Sequence, residues 1–349
     1  MNKKEILELL VSEDSENLFK KADEVRKLYC GDEVYIRGII EFSNYCVRNC
    51  LYCGLRRDNK RIKRYRMKEE EIIEIAKRII SQGVKTIVLQ SGDDLVYKRD
   101  SICRIIKRIK KIDDVAVTLS IGERPWDDYK AFREAGADRY LLKQETINEK
   151  LYEYLHPGQS LMRRIKTLEY LKKLGYQIGG GNIVGLPRQT FKDLADDIIF
   201  LKDLEVDMAG IGPFIPQKNT PLKNYPSGDL NLTLKVLALV RINLPWAFLP
   251  ATTALATLNP ERGQLEAFQI GCNVIMPNFT PKRYREKYLI YNNKACVDLE
   301  KAKRIVNKIK REISFTRGDS LLYQEAEYIK LDRKGYFGIF LKTGANGER

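Results

Sequence analysis

Three cysteines fall within eight residues, in the segment Glu41-Phe-Ser-Asn-Tyr-Cys46-Val-Arg-Asn-Cys50-Leu-Tyr-Cys53. Their spacing, C-x3-C-x2-C, puts three thiolates on one tight loop. Iron–sulfur clusters are held by cysteine thiolates. Three of them can each hold one iron of a cubane, which leaves a fourth iron without a protein ligand and open to a small molecule. The alternatives are a structural zinc site or a chance spacing. A closed zinc site wants four protein ligands, but the chain has no second C-x2-C, and Cys103, Cys272 and Cys296 are isolated. Seven cysteines in a long chain read as metal ligation or catalysis, since disulfide scaffolds belong to short secreted chains. The single histidine, His156, precedes Pro157 in a polar turn. It leaves no room for a His-rich zinc site or an HExxH helix.

The elements that must carry this loop alternate in type. Short β-rich apolar runs occur at Val34–Phe42, Thr86–Gln90, Val115–Ser120, Arg139–Lys143, Gln177–Val184, Met208–Pro213, Phe248–Ala251 and Val274–Met276. Between them lie stretches with helical apolar spacing, such as Glu69–Gln82 and Phe191–Leu204. Strands alternating with helices favour a parallel sheet with right-handed crossovers. Eight such units predict an α/β chain folded as a (β/α)8 TIM-type barrel, with the cysteine loop at the C-terminal mouth where barrel active sites assemble. Residues 1–33 read as a helical N-terminal extension, 34–316 as the barrel and 317–349 as a partly disordered tail. Asp298–Ser314 is expected to form a C-terminal helix with Leu299, Ala302, Ile305, Val306 and Ile309 on one face.

With 349 residues, 44% of them hydrophobic, the chain is expected to bury a large core. No run approaches the roughly 18 apolar residues of a membrane span. The charged N-terminus has no signal-peptide pattern, so a cytoplasmic protein without membrane partners is expected. The formal charge of +15, from 62 Lys and Arg against 47 Asp and Glu, could steer a polyanion. The basic clusters are short and mixed with aliphatics, as at Lys60–Arg64 and Lys107–Lys111, and no nucleic-acid signature accompanies them. Nucleic acid is therefore not the expected partner.

The cysteine motif resembles that of the radical S-adenosylmethionine (SAM) superfamily, C-x3-C-x-aromatic-C, with Tyr52 as the aromatic. The resemblance implies a [4Fe-4S] cluster on Cys46, Cys50 and Cys53 whose open iron chelates SAM. It also implies reductive cleavage of SAM to methionine and a 5′-deoxyadenosyl radical, in an oxygen-sensitive site. The superfamily's reactive radical calls for a cavity closed to water.

Further segments narrow the likeness. Ile40-Glu-Phe-Ser-Asn-Tyr-Cys46, Cys53-Gly-Leu-Arg-Arg-Asp-Asn59, Val88-Leu-Gln-Ser-Gly92, Gly136-Ala-Asp-Arg-Tyr140, Gly210-Ile-Gly-Pro-Phe214, Pro250-Ala-Thr-Thr-Ala254 and Asn273-Val-Ile-Met-Pro-Asn278 resemble the HydE family. These are radical SAM maturases of [FeFe]-hydrogenase, and the likeness spans roughly residues 30–310. It implies SAM contacts from Tyr52, Ser91, Gly92, Asp93, Ser120, Glu145 and Arg164. Asp93 stands in place of the superfamily's usual Glu. The likeness also implies substrate contacts from Gln90, Arg139, Met208, Thr252, Thr253, Met276 and Tyr288. Met208 and Met276 can equally be core residues, and Thr252 and Thr253 can equally cap a helix. The glycines of Gly179-Gly-Gly-Asn182 could let backbone approach a ligand closely, or serve only strand-end flexibility.

Two features depart from the family. Lys143-Gln144-Glu145-Thr146 stands where HydE proteins carry Arg-His-Glu-Thr, and Lys cannot form a bidentate clamp on a carboxylate. Gln144-Glu145-Thr146 and Gly158-Gln-Ser160 resemble methylornithine synthase instead. Only Cys296 stands where some HydE proteins hold a second cluster, so no second cluster is expected. The implied partners are a small thiol- or amino-acid-derived substrate (an iron-bound cysteine, for example), a flavodoxin or ferredoxin, and other hydrogenase maturases. The alternatives are a methylornithine synthase-like mutase and a non-catalytic zinc- or nucleic-acid-binding protein.

Overall fold

The computed structural model describes residues 1–324. Its strands are β1 (Glu33–Ile36), β2 (Gly38–Ser43), β3 (Thr86–Ser91), β4 (Ala116–Ser120), β5 (Arg139–Leu141), β6 (Gln177–Gly180), β7 (Ile183–Val184), β8 (Met208–Ala209), β9 (Gly212–Pro213), β10 (Val274–Ile275) and β11 (Glu312–Ser314). Six of them form one parallel sheet in the order β2-β3-β4-β5-β6-β8. Parallel bridges Met208 to Phe248 and Pro250 to Val274 continue the ring, and β10 pairs with β1 through Tyr35–Val274. The eight apolar runs thus close into a (β/α)8 barrel. The first run breaks at Arg37 into β1 and β2, and Phe248–Ala251 takes part through isolated bridges only.

Helix faces follow the apolar spacing. In Arg99–Lys110, Ile102, Ile105, Ile106 and Ile109 are all buried, at the i, i+3, i+4, i+7 positions of one face. Glu69–Ser81 buries Ile72, Ile73, Ile75, Ala76 and Ile79 against the barrel wall. Ile79 fills the space where any Cβ on Gly38 would sit, 2.9 Å away. The N-terminal stretch forms helices Lys3–Val11 and Glu16–Cys30. The first packs on Phe191–Asp203 and Leu230–Asn243, and the second on Leu230–Asn243, so both belong to the outer helical layer.

The C-terminal helix is shorter than the periodicity predicts, spanning Leu299–Lys308. Lys310 adopts a left-handed φ of 56° and ends the helical run, and Glu312–Ser314 then pairs in parallel with β1. The chain next crosses beneath the barrel. Arg139 extends from β5 to meet it, donating to the Arg317 and Gly318 carbonyls, both at 2.7 Å, and to Asp319 Oδ1 at 2.9 Å. Gln177 donates to Asp319 and accepts from the Ser320 amide. Arg317 pairs in turn with Asp114, Asp138 and Asp319. Residues 317–320 are therefore a floor to the barrel, where a tail was expected. The expectation of disorder at Thr343–Arg349 lies outside the described residues. Among the described residues no helix is long and apolar enough to cross a membrane.

Arg139 is 4% exposed and is the hub of this floor. Replacing it with Met should cost about 3 kcal/mol, since a buried charge pair loses one partner. Urea unfolding of Arg139→Met against the parent chain checks this.

Candidate active site

A cavity of about 400 Å³ opens at the C-terminal ends of the strands. The cysteine loop forms one wall and contributes Cys46, Cys50, Tyr52 and Cys53. Gln90, Ser91, Gly92 and Asp93 enter from the end of β3, and Ser120 from the end of β4. Glu145 and Arg164 complete one side. Met208, Thr252, Thr253, Met276 and Tyr288 line the remainder. One residue expected at the site is elsewhere. Arg139 does not line this cavity, because its guanidinium is drawn to the floor by the carbonyls described above. A small separate chamber touches it instead, and Met208 borders both spaces.

The cysteine loop is held by its backbone. Val47 N–H donates to Asp93 O at 3.0 Å, Leu51 N–H to Leu155 O at 2.9 Å, and Gly54 N–H to Ile290 O at 2.8 Å. The turn after β3 lies directly against it. A Cβ on Gly92 would come 2.3 Å from Tyr45 O and 2.8 Å from Cys46 Cβ, so only glycine fits there. Gly122 is excluded from substitution twice over. Its φ is +73°, and a Cβ would overlap Asp93 Oδ1 at 1.6 Å.

All seven cysteines are free thiols. Burial pushes the Cys46 thiol up to about 12, helped by the Asp93 charge. Burial likewise raises Cys50, and Cys53 is raised by burial and by its two neighbouring cysteines. Three such thiols become ligands only where a cation compensates their desolvated charge. Among the described residues no group of three or more His, Cys, Asp and Glu side chains gathers as it would around one metal ion. A mononuclear zinc site needs that convergence. A cubane does not, because each thiolate binds its own iron. The donor set fits a [4Fe-4S] cluster.

The charged groups form a chain that sequence reasoning missed. Asp93 Oδ2 accepts from Arg48 Nε at 2.7 Å. Arg48 also reaches Glu123 at 3.2 Å, and Glu123 accepts from Arg164 Nε at 2.7 Å. Burial works against the Arg164 charge, but Tyr152 and Glu123 outweigh it and hold its pKa above the ordinary arginine value. Arg164 donates as well to the Lys143 carbonyl and to Gln159 Oε1. Neither Arg48 nor Glu123 stands out by composition, since only their contacts across the barrel mouth mark them.

Glu145 sits at φ 66°, a left-handed conformation that costs a non-glycine residue energy and persists where the surroundings impose it. Its amide donates to Gly181 O and its carbonyl accepts from the Ile183 amide. Lys143 Nζ meets the Glu145 carboxylate at 2.8 Å inside the cavity. Gln144 points away, fully buried, and accepts from Gly181 N–H at 3.0 Å. The glycines of 179–181 approach protein and do not line the cavity. Cβ atoms there would strike Leu141, Leu201 and Gly210 O. Thr252 precedes the helix Thr253–Leu258 but makes no side-chain cap, and its buried hydroxyl has no hydrogen-bond partner among the described residues. That favours a cavity role over capping.

His156 is also part of the wall and was not expected there. Its Nδ1 lies 2.9 Å from the Tyr152 carbonyl, which can only accept, so Nδ1 carries the proton. Nε2 then accepts from the Tyr52 hydroxyl at 2.9 Å, fixing the aromatic ring of the cysteine motif. Burial and the Arg164 charge lower the His156 pKa to about 3. The unfolded chain takes up this proton below its ordinary 6.5, while the folded chain does so only near 3. Stability should therefore fall as pH drops through that window, by about 2 kcal/mol at pH 5. Urea unfolding at pH 7 and pH 5 should show a smaller acid loss for His156→Gln.

The comparisons agree with this geometry. The model of the radical SAM superfamily matches residues 40–201. The [FeFe]-hydrogenase maturase subunit HydE of Thermotoga maritima is 56% identical over 81% of this chain and 81% of its own length. The 3-methylornithine synthase of Methanosarcina acetivorans is 30% identical over 77% of this chain and 76% of its own. Among solved structures, methylornithine synthase superposes with a TM-score of 0.81 at 25% identity, covering 90% of this chain and 94% of that one. HydG, a maturase of the [FeFe]-hydrogenase, shares the fold with a TM-score of 0.78 at 22% identity, over 90% and 73%. The chain belongs to the radical SAM superfamily, whose enzymes use a [4Fe-4S] cluster and SAM, and within it to the HydE maturase family.

Proposed function

We propose that this radical SAM enzyme acts in building the active-site cluster of [FeFe]-hydrogenase. One observation carries the reading: three cysteines and thirteen other residues expected from the family converge on a single cavity. When bound, the cluster supplies the electron that breaks a sulfonium C–S bond of SAM, giving methionine and the 5′-deoxyadenosyl radical. Cys46, Cys50 and Cys53 would hold it. The Ser91-Gly92-Asp93 turn is assigned the amino group of SAM, Arg164 its carboxylate and Glu145 its ribose. Tyr52 and Ser120 complete the SAM side.

Gln90, Thr252, Thr253, Met208, Met276 and Tyr288 are assigned to the substrate. Gln90 and Tyr288 both line this side, and among the described residues the buried Thr252 hydroxyl has no hydrogen-bond partner. A cavity lined by Met208, Met276 and Lys143 together suits a small thiol- or amino-acid-derived substrate, including an iron-bound cysteine. Segment 288–294 covers this side. Ile290 O holds Gly54, and Lys294 forms a buried ion pair with Glu41 that pins the cover to β2. Such covering limits water near a reactive intermediate. The seven unpaired cysteines suit a reducing cytoplasm. Methylornithine synthase-like rearrangement is the second reading, favoured by Gln144-Glu145-Thr146 and Gly158-Gln-Ser160. Gln144 bears little on it, because it faces away from the cavity.

Reconstituted without air, the protein should yield 5′-deoxyadenosine from SAM with a strong reductant. Any of Cys46→Ala, Cys50→Ala or Cys53→Ala should lower the yield at least 100-fold. Rescue of a HydE-deficient hydrogenase supports maturation, whereas 3-methylornithine formed from L-lysine would replace it with the second reading.

The loop after the cysteines supports an acidic electron donor such as flavodoxin or ferredoxin. Residues 56–66 hold seven Lys and Arg against Asp58 alone, and Arg57, Lys60, Arg61 and Lys63 are exposed. Opposite charge accelerates encounter and is screened by salt. Reversing Lys60 and Lys63 to Glu should slow reduction by flavodoxin about tenfold at low salt and leave reduction by dithionite unchanged, as stopped-flow absorbance would show.

A further inference from the structure

One side chain outside the cysteine loop touches a cluster ligand. Gln159 follows the helix Glu149–Leu155 and precedes Leu161–Lys173. Its Nε2 lies 3.5 Å from Cys50 Sγ, as a donor to sulfur. An amide can be turned either way about its last bond, so the neighbouring partner decides its orientation. Here that partner is Arg164 Nη2, at 3.3 Å from Oε1. A guanidinium has no acceptor, so the oxygen must face Arg164 and the NH2 group must face the sulfur. Arg164 is itself held by Glu123 and the Lys143 carbonyl, so the amide is gripped from behind. Among the described residues, Cys46 and Cys53 receive backbone donors alone, such as Arg48 N–H on Cys46 Sγ at 3.4 Å.

Hydrogen bonds to cluster sulfurs raise a cluster's reduction potential, because they offset the negative charge that the electron adds, whereas exclusion of solvent works in the opposite direction. A donor polarised by a buried cation is a stronger donor. We infer that Gln159 is a positioning residue that tunes the cluster, linking the Arg164 guanidinium through its amide to the Cys50 thiolate and so making the cluster easier to reduce. Because Arg164 is also the residue assigned to the SAM carboxylate, the amide joins the cosubstrate pocket to the electron acceptor through one side chain. This inference rests on the cluster assignment made above.

Two variants separate the roles of the amide. Gln159→Leu removes both bonds. Gln159→Glu keeps an oxygen for Arg164, removes the donor and places negative charge beside the sulfur. Each protein is reconstituted without air, its iron and sulfide are counted, and its cluster is titrated by electron paramagnetic resonance without SAM. The reduced-to-oxidised ratio at a given applied potential should fall about tenfold in the leucine variant, equivalent to about 59 mV for one electron. It should fall further in the glutamate variant. Should the leucine variant assemble no cluster, the glutamate variant carries the same measurement. A fully loaded variant titrating with the parent protein would overturn the role of Gln159. A parent protein that binds no iron would instead overturn the cluster assignment itself.

Discussion

The mouth of the barrel is organised around one buried carboxylate. Glu123 is 5% exposed and accepts from two arginines that come from opposite directions. Arg48 belongs to the cysteine loop, and Arg164 to a helix more than a hundred residues later. Two guanidiniums without Glu123 would repel each other in a dry pocket, and one charge would have to leave. With it, the loop that presents the thiols and the helix that presents Arg164 are fixed in one frame. Asp93 extends the frame to the turn after β3, where only glycine at 92 lets the two backbones touch.

The barrel explains why parts so distant in sequence can share this frame. Parallel strands bring their C-terminal ends to one rim, so the residue just beyond each strand faces a common space. Ser91 and Ser120 end β3 and β4, and Cys46 and Thr252 lie shortly past β2 and the Phe248–Ala251 segment. The outer helices contribute little chemistry and much burial, and their isoleucine stripes hold the wall against which the rim is built.

Much of this was legible in the residues, for stated reasons. Alternation of β-rich and helical runs needs only local spacing, so all eight wall segments could be located, including Phe248–Ala251, which joins through isolated bridges. The cysteine spacing is equally local. Arg139 was misread because its position at a strand is local but the target of its guanidinium is not. That target is a segment nearly 180 residues away. The helix expected over Asp298–Ser314 stopped short for a similar reason. Its last residues keep an apolar rhythm, but the edge of β1 offers them backbone partners that no pattern records. Glu123 escaped notice, and His156 and Gln159 were given no role at the site, because a lone polar residue acquires meaning only from what it faces.

The floor of the barrel bears on how the protein is made. Residues 317–320 leave the ribosome after every strand of the wall. Until they arrive, Arg139 has no carbonyls to bind and the underside stands open. A chain cut short before residue 317 would carry a complete set of thiols at its rim above an unsealed vessel. Its integrity as a container for radical chemistry is therefore gained only after every strand of the wall has been made.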